Sequence, residues 1–187
     1  MAKTERLLRE ALVSLVHEKN YDAIVVRDIL ERANVGRSAF YAHFRDKHEL
    51  LENGIQHMLR TTPLRHRAGL PKRFEKALWF SGPLFEYVDE HRHADSRMDR
   101  KGRSVLHEHL KQSLIDEIGD DVKTCVQRAD GGRSRVPTNV LVEYIVTTFI
   151  LVLNWWVESR SPLTASEVDD VFLSMVVPAL EAVTTRT

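Results

Sequence analysis

Three observations predict an all-α fold for this chain of 187 residues. Apolar residues recur at i, i+3, i+4 and i+7 in one segment after another, the spacing that gathers them on one face of a helix. No stretch alternates apolar and polar residues as a half-buried strand does. The turn-forming residues fall mainly between the periodic segments, where helices stop.

The first helix is expected from Thr4 to Lys19, with Leu8, Ala11, Leu12, Leu15 and Val16 in one stripe, Thr4 as N-cap and Asn20 as stop. A short second helix, Val26 to Ala33, turns Ile29, Leu30 and Ala33 inward. Asn34-Val35-Gly36 then reads as a turn, because Asn tolerates the left-handed backbone a helix C-terminus needs and Gly36 can open the next helix without a bulky cap. The third helix, Arg37 to Phe44, sets Phe40 and Phe44 on one face and Arg37, Ser38 and Tyr41 on the other. A fourth starts near Asp46 and runs through Leu50, Leu51, Ile55, Met58 and Leu59 until Pro63 interrupts it.

Residues 71–92 carry Phe74, Ala77, Leu78, Leu84, Phe85 and Val88 in helical register, with Gly82-Pro83 expected to kink or break them. The charged segment from His91 to Gly102 reads as irregular. Val105, Leu110, Leu114, Ile115 and Ile118 mark a further helix, and Asp130-Gly131-Gly132 a loop. Two long helices close the chain. Pro137 to Ser159 is apolar almost all round, so it requires cover on every side. Ala165 to Val183 follows, opened by Thr164 and Glu167 in capping-box spacing and bent at Pro178. The expected division is a helix-turn-helix domain over residues 1–48 and a larger helical domain over 49–187.

Lys and Arg total 27 and so do Asp and Glu, so whole-chain charge carries no sign of a nucleic-acid partner, and any such case rests on local residues. Cys125 is the only cysteine, which rules out an intramolecular disulfide; a reducing cytoplasm is the simplest setting, and a small half-buried thiol outweighs a redox sensor. The N-terminus lacks the apolar core of a signal peptide. Tyr144 to Val157 is bounded by Glu143 and Glu158 and falls short of the roughly 18 apolar residues of a membrane span, so a buried helix is expected and no membrane contact. No Gly-rich phosphate loop, nucleophile elbow or apolar pair of carboxylates suggests an enzyme, and no cofactor is expected.

The order helix, Asn-Val-Gly turn, short helix has the outline of a helix-turn-helix, in which the second helix enters the major groove. The stretch Tyr21-Asp22-Ala23, then Val26 through Leu51 with its Phe40-Tyr41-x-His43-Phe44-x-x-Lys47 core and following Leu50-Leu51, resembles the TetR (tetracycline-repressor) family. The resemblance covers residues 4–51. It departs where Asn34 replaces the usual Gly, Gly36 the usual Ser, and Ala42 a larger residue.

Carried over by residue, the resemblance implies that Tyr41, His43 and Lys47 contact phosphates and that Arg37, Ser38 and Ala39 face base edges, with Arg27 reaching either. The chemistry agrees: an Arg fork suits guanine, an Ala methyl can meet a thymine methyl, and Tyr and Lys donate to phosphate. It also implies a homodimeric repressor on double-stranded DNA, released by a small-molecule effector. The alternative is an effector-independent regulator or one controlled by a partner protein. Trp79, Phe80, Phe149 and Trp155 are the candidate effector pocket, and Val146, Ile150, Val171 and Met175 the candidate dimer interface. His91-x-His93 and His107-x-His109 invite a metal site, but i and i+2 point about 200° apart on a helix, so none is expected.

Overall fold

The computed structural model describes residues 2–61, 70–95, 100–130 and 136–184. Among these it contains eight α-helices, one 3-10 helix and no strand. The helices are α1 (Ala2–Glu18), α2 (Val26–Ala33), α3 (Arg37–Tyr41), α4 (Lys47–Thr61), α5 (Ser81–Asp95), α6 (Arg100–Asp130), α7 (Thr138–Ser159) and α8 (Ala165–Thr184). The chain forms two compact units, Met1–Thr61 with Arg92–Leu110, and Thr62–His91 with Lys111–Thr187.

In the first unit the expected stripe is the core: Leu8, Leu12, Ile29, Phe40 and Leu50 are all buried. α1 begins two residues before Thr4, which therefore lies in the helix and does not cap it. Asn20 has a different task from simple termination. Its side chain accepts from the Asp22 backbone N–H at 3.0 Å and opens the 3-10 helix Tyr21–Ala23, which buries Tyr21. α4 opens on Asp46, whose carboxylate accepts from the backbone N–H groups of His48 and Glu49, each at 2.9 Å. The Glu49 bond above all holds the Asp46 carboxyl below the usual carboxylate range, as expected for an acid on the exposed donors of a helix start.

Two expectations about the middle of the chain are corrected. Residues 71–80 form a series of turns that bury Phe74, Ala77, Leu78 and Phe80, and only from Ser81 does the backbone become helical. Gly82 and Pro83 thus lie in the first turn of α5, where a proline's missing N–H and fixed φ are tolerated, and they begin the helix instead of breaking it. The segment from His91 is helical through Asp95, and α6 starts again at Arg100. Asp130 closes α6, while Gly131 and Gly132 lie outside the described residues.

α7 and α8 run antiparallel. The Tyr144 hydroxyl, near the start of α7, donates to the carbonyl of Met175 late in α8 at 2.9 Å, and Trp156 Nε1 donates to the carbonyl of Leu163 in the short connection at 3.0 Å. The connection is closed by Arg160 in the left-handed region at φ 49° and by the Thr164–Glu167 capping box. In that box Glu167 accepts from the Thr164 backbone N–H at 2.8 Å, which holds its carboxyl below the ordinary range. Between the helices Phe80, Phe85, Phe149, Phe172 and Trp156 pack ring against ring, all fully buried. At 22 residues α7 is long and apolar enough to cross a membrane, so length does not decide its character. Half of its apolar window is buried, as in a core helix.

Candidate nucleic-acid interface

α3 has five residues, well below the roughly 12–15 at which an isolated helix becomes even marginally stable in water, so its neighbours hold it in place. Its anchor is Phe40, fully buried beside the Phe44 ring, with the centroids 5.9 Å apart. The turn before it is set by Asn34 at φ 52° and ψ 49°. In that conformation the Asn34 N–H bonds the Glu31 carbonyl at 3.3 Å and the Val35 N–H bonds the Leu30 carbonyl at 3.1 Å, closing α2. Gly36 caps α3 at φ −71°, a conformation open to any residue, and a Cβ there would meet nothing within 4 Å. Gly36 opens α3 as expected, and the space around it would also admit a larger residue.

α2 is tied to α1 by charge. Asp28 accepts from Lys19 Nζ at 2.5 Å and from the Val25 N–H at 3.0 Å, and the lysine bond first, then the backbone one, lower its pKa. Arg32 reaches the carboxylate of Glu18 and the hydroxyl of Ser14. These contacts fix the bracing helix and leave α3 free to present its outer face.

The residues expected to meet DNA divide into two groups. Arg27, Arg37, Ser38 and Tyr41 are exposed on α2 and α3, with Ala39 half-buried beside them. Arg37 stacks over the Tyr41 ring with its guanidinium carbon 5.7 Å from the centroid, and Glu31, one turn along α2, meets the Arg27 side chain at 3.7 Å. Lys47 and His43 face elsewhere. Lys47 Nζ donates to the carbonyls of Tyr21 at 2.8 Å, Ile24 at 2.9 Å and Asp22 at 3.3 Å, and lies 4.5 Å from the Tyr21 ring centroid. An ammonium has three N–H donors, and all three are engaged here. Its partial burial lowers its pKa. Lys47 thus fastens the 3-10 helix to α4 with the donors expected to meet phosphate. His43 Nδ1 sits 3.3 Å from Glu5 Oε1, with its side chain 15% exposed, which ties α3 to α1.

The second unit separates the other candidates. Phe80 and Phe149 come together, ring centroids 5.2 Å apart, but inside the aromatic cluster. Trp79 is half-buried in the turns before α5. Trp155 is 44% exposed and does not join them; its neighbour Trp156 does, because one residue along a helix turns the side chain by about 100°. Phe149, Val152 and Trp156 share the buried stripe. The dimer candidates are revised on the same ground. Val146 is fully buried in its own unit, Ile150 and Val171 are half-buried, and Met175 is exposed. The outward apolar stripe of α7 is Val140, Tyr144, Leu151 and Trp155. Of the histidine pairs, the side chains of His91 and His93 lie outside the described residues.

Residues 8–53 match the family of bacterial regulatory proteins, tetR family. The matched segment runs from α1 into α4 and takes in α2 and α3. Within it α2 and α3 have the arrangement of a helix-turn-helix, the element with which proteins of that kind bind DNA. An uncharacterised HTH-type transcriptional regulator of Bacillus subtilis (strain 168), YxbF, is 35% identical over 57 residues, which make up 30% of this chain and 15% of that protein. Two crystal structures resemble this chain along nearly its whole length. A TetR-family regulator from Syntrophomonas wolfei has a TM-score of 0.68 at 17% identity, covering 96% of this chain and 95% of that one. A TetR regulator from Streptococcus agalactiae 2603V has a TM-score of 0.57 at 21% identity, covering 94% of each. At such identities the likeness extends to the fold of the second unit and no further.

Proposed function

We propose that this chain is a TetR-family regulator, a homodimeric, ligand-responsive cytoplasmic repressor that binds a pseudo-palindromic operator. The observation that carries the reading is the pairing of an outward recognition face, Arg37, Ser38 and Tyr41, with an outward apolar stripe on α7 continued by Met175 of α8. Two copies joined through that stripe as a four-helix interface would present two α3 helices to successive major grooves. In this reading Arg37 reads a guanine edge, its guanidinium already positioned over Tyr41; Ser38 and Ala39 lie beside it, and Tyr41 and Arg27 meet the backbone. An effector releases the operator by binding better to a subunit arrangement whose α3 spacing no longer fits the half-sites.

One observation favours the second reading, a regulator that needs no effector. Phe80 and Phe149, expected to line a pocket, fill their own space. Selection of bound sequences from random DNA, sedimentation of the protein alone, and a small-molecule release screen on the selected site test the proposal in that order. Selected sites without two-fold symmetry, or a monomer that binds tightly, overturn the dimeric operator model. A release screen with no hits favours the second reading.

A further inference from the structure

We propose that Arg45, in the turn between α3 and α4, contacts the phosphate backbone of DNA and so takes the part for which the donors of Lys47 are already engaged. The proposal rests on the DNA-binding reading above. Past Tyr41 the backbone keeps its helical turn, since the Ala42 N–H bonds the Ser38 carbonyl at 3.0 Å and the Phe44 N–H bonds the Phe40 carbonyl at 2.9 Å. At about 100° per residue, that turn carries position 45 into the arc of Ser38, Tyr41 and Ala42, all exposed, and away from the buried Phe40 and Phe44. The Arg45 side chain is 87% exposed.

Glu49 holds the residue at two points. Its Oε2 accepts from the Arg45 backbone N–H at 2.6 Å and from Arg45 Nε at 3.1 Å, which fixes both the turn and the root of the guanidinium. Glu49 is thus a positioning residue. A guanidinium has five N–H donors, and the four on the terminal amino groups of Arg45 have no hydrogen-bond partner among the described residues. Lys47 is the reverse case, with three donors on three carbonyls. Of the acids beside Arg45, Asp46 is committed to the backbone N–H groups that open α4, and Glu49 to the pair itself. An exposed i, i+4 ion pair adds little to stability, and the turn keeps its backbone bond to Glu49 without the guanidinium. The fold therefore makes small use of the Arg45 charge, whereas a planar fork with open donors matches two phosphate oxygens.

The test is the salt dependence of binding by the full chain, followed by fluorescence anisotropy on a selected DNA site and on random duplex. Arg45→Gln should lose affinity severalfold on both and lower the salt slope by about one counterion, because a phosphate contact carries no sequence information. Its urea unfolding midpoint should stay where it is. Arg45→Lys keeps the charge and should keep the slope. Arg73→Gln removes an equal charge from an exposed pair in the second unit and should bind as the wild type does. An unchanged slope in Arg45→Gln, with or without a lower unfolding midpoint, overturns the phosphate assignment, and so does a loss confined to the selected site. An equal fall in slope in Arg73→Gln also overturns it, since the effect is then one of net charge. In each of these cases DNA binding by the wild type still stands; a wild-type protein that binds neither duplex overturns the proposal together with the reading beneath it.

Discussion

α3 has five residues and a single fully buried anchor, Phe40; α7 has 22 residues and buries a broad face from Leu141 to Trp156. The short helix is placed by others: a left-handed Asn34, the Phe40 ring in the core, and ion pairs that hold its bracing partner. The long helix makes its own core and has apolar surface left over. The short helix is positioned by a small scaffold and keeps its outer side chains polar, while the long helix, in the dimer proposed above, turns one apolar face to its own unit and offers the other to a second copy.

The strongest test of that contrast uses one substitution on each face of α7. Val146→Glu should unfold the second unit, since removing an apolar core side chain and burying an unpaired charge together cost several kcal/mol. Leu151→Glu, on the outward stripe, should leave circular dichroism and melting nearly unchanged while shifting sedimentation from dimer to monomer and weakening operator binding. Equal damage from both would show that α7 has no distinct outward face. Next in size is Phe40→Ala, expected to cost about 3–5 kcal/mol in denaturant unfolding, because the only buried side chain of α3 is removed.

Lys47→Met should then cost about 1–3 kcal/mol of stability, since it removes the hydrogen bonds from a partly buried ammonium to the carbonyls of Tyr21, Asp22 and Ile24. The salt dependence of DNA binding should stay the same, because no phosphate contact is lost. A slope smaller by about one counterion would restore Lys47 to the DNA backbone. Arg37→Ala should leave the melting temperature alone and cost about 1–3 kcal/mol on the selected site, with little loss on random DNA. The smallest effect expected is Gly36→Ser. The open space at that N-cap admits a hydroxyl, which should raise stability by a few tenths of a kcal/mol. Any larger gain in DNA affinity than in stability would mark a new phosphate contact.

How much was legible from sequence follows the same division. The helix-turn-helix could be read because its parts are local: Asn34 closes α2, Phe40 and Phe44 repeat at one turn, and Asp46 caps α4 within three residues. Helical periodicity likewise located α7 and α8, and the Thr164–Glu167 spacing gave the start of the last helix. Periodicity says that a helix has an apolar face, however, and α7 is apolar on nearly every face, so the sequence by itself could not separate buried Val146 from the outward Leu151, or Trp156 from Trp155. Only packing against α8 and the aromatic cluster decided that. The same holds for Lys47 and for the ring contact of His48 with His109. Their partners lie more than twenty residues away along the chain, the carbonyls of Tyr21 and Ile24 in one case and an imidazole on α6 in the other. Side-chain chemistry is written in the sequence, but which donor meets which acceptor across that distance is fixed only when the helices pack.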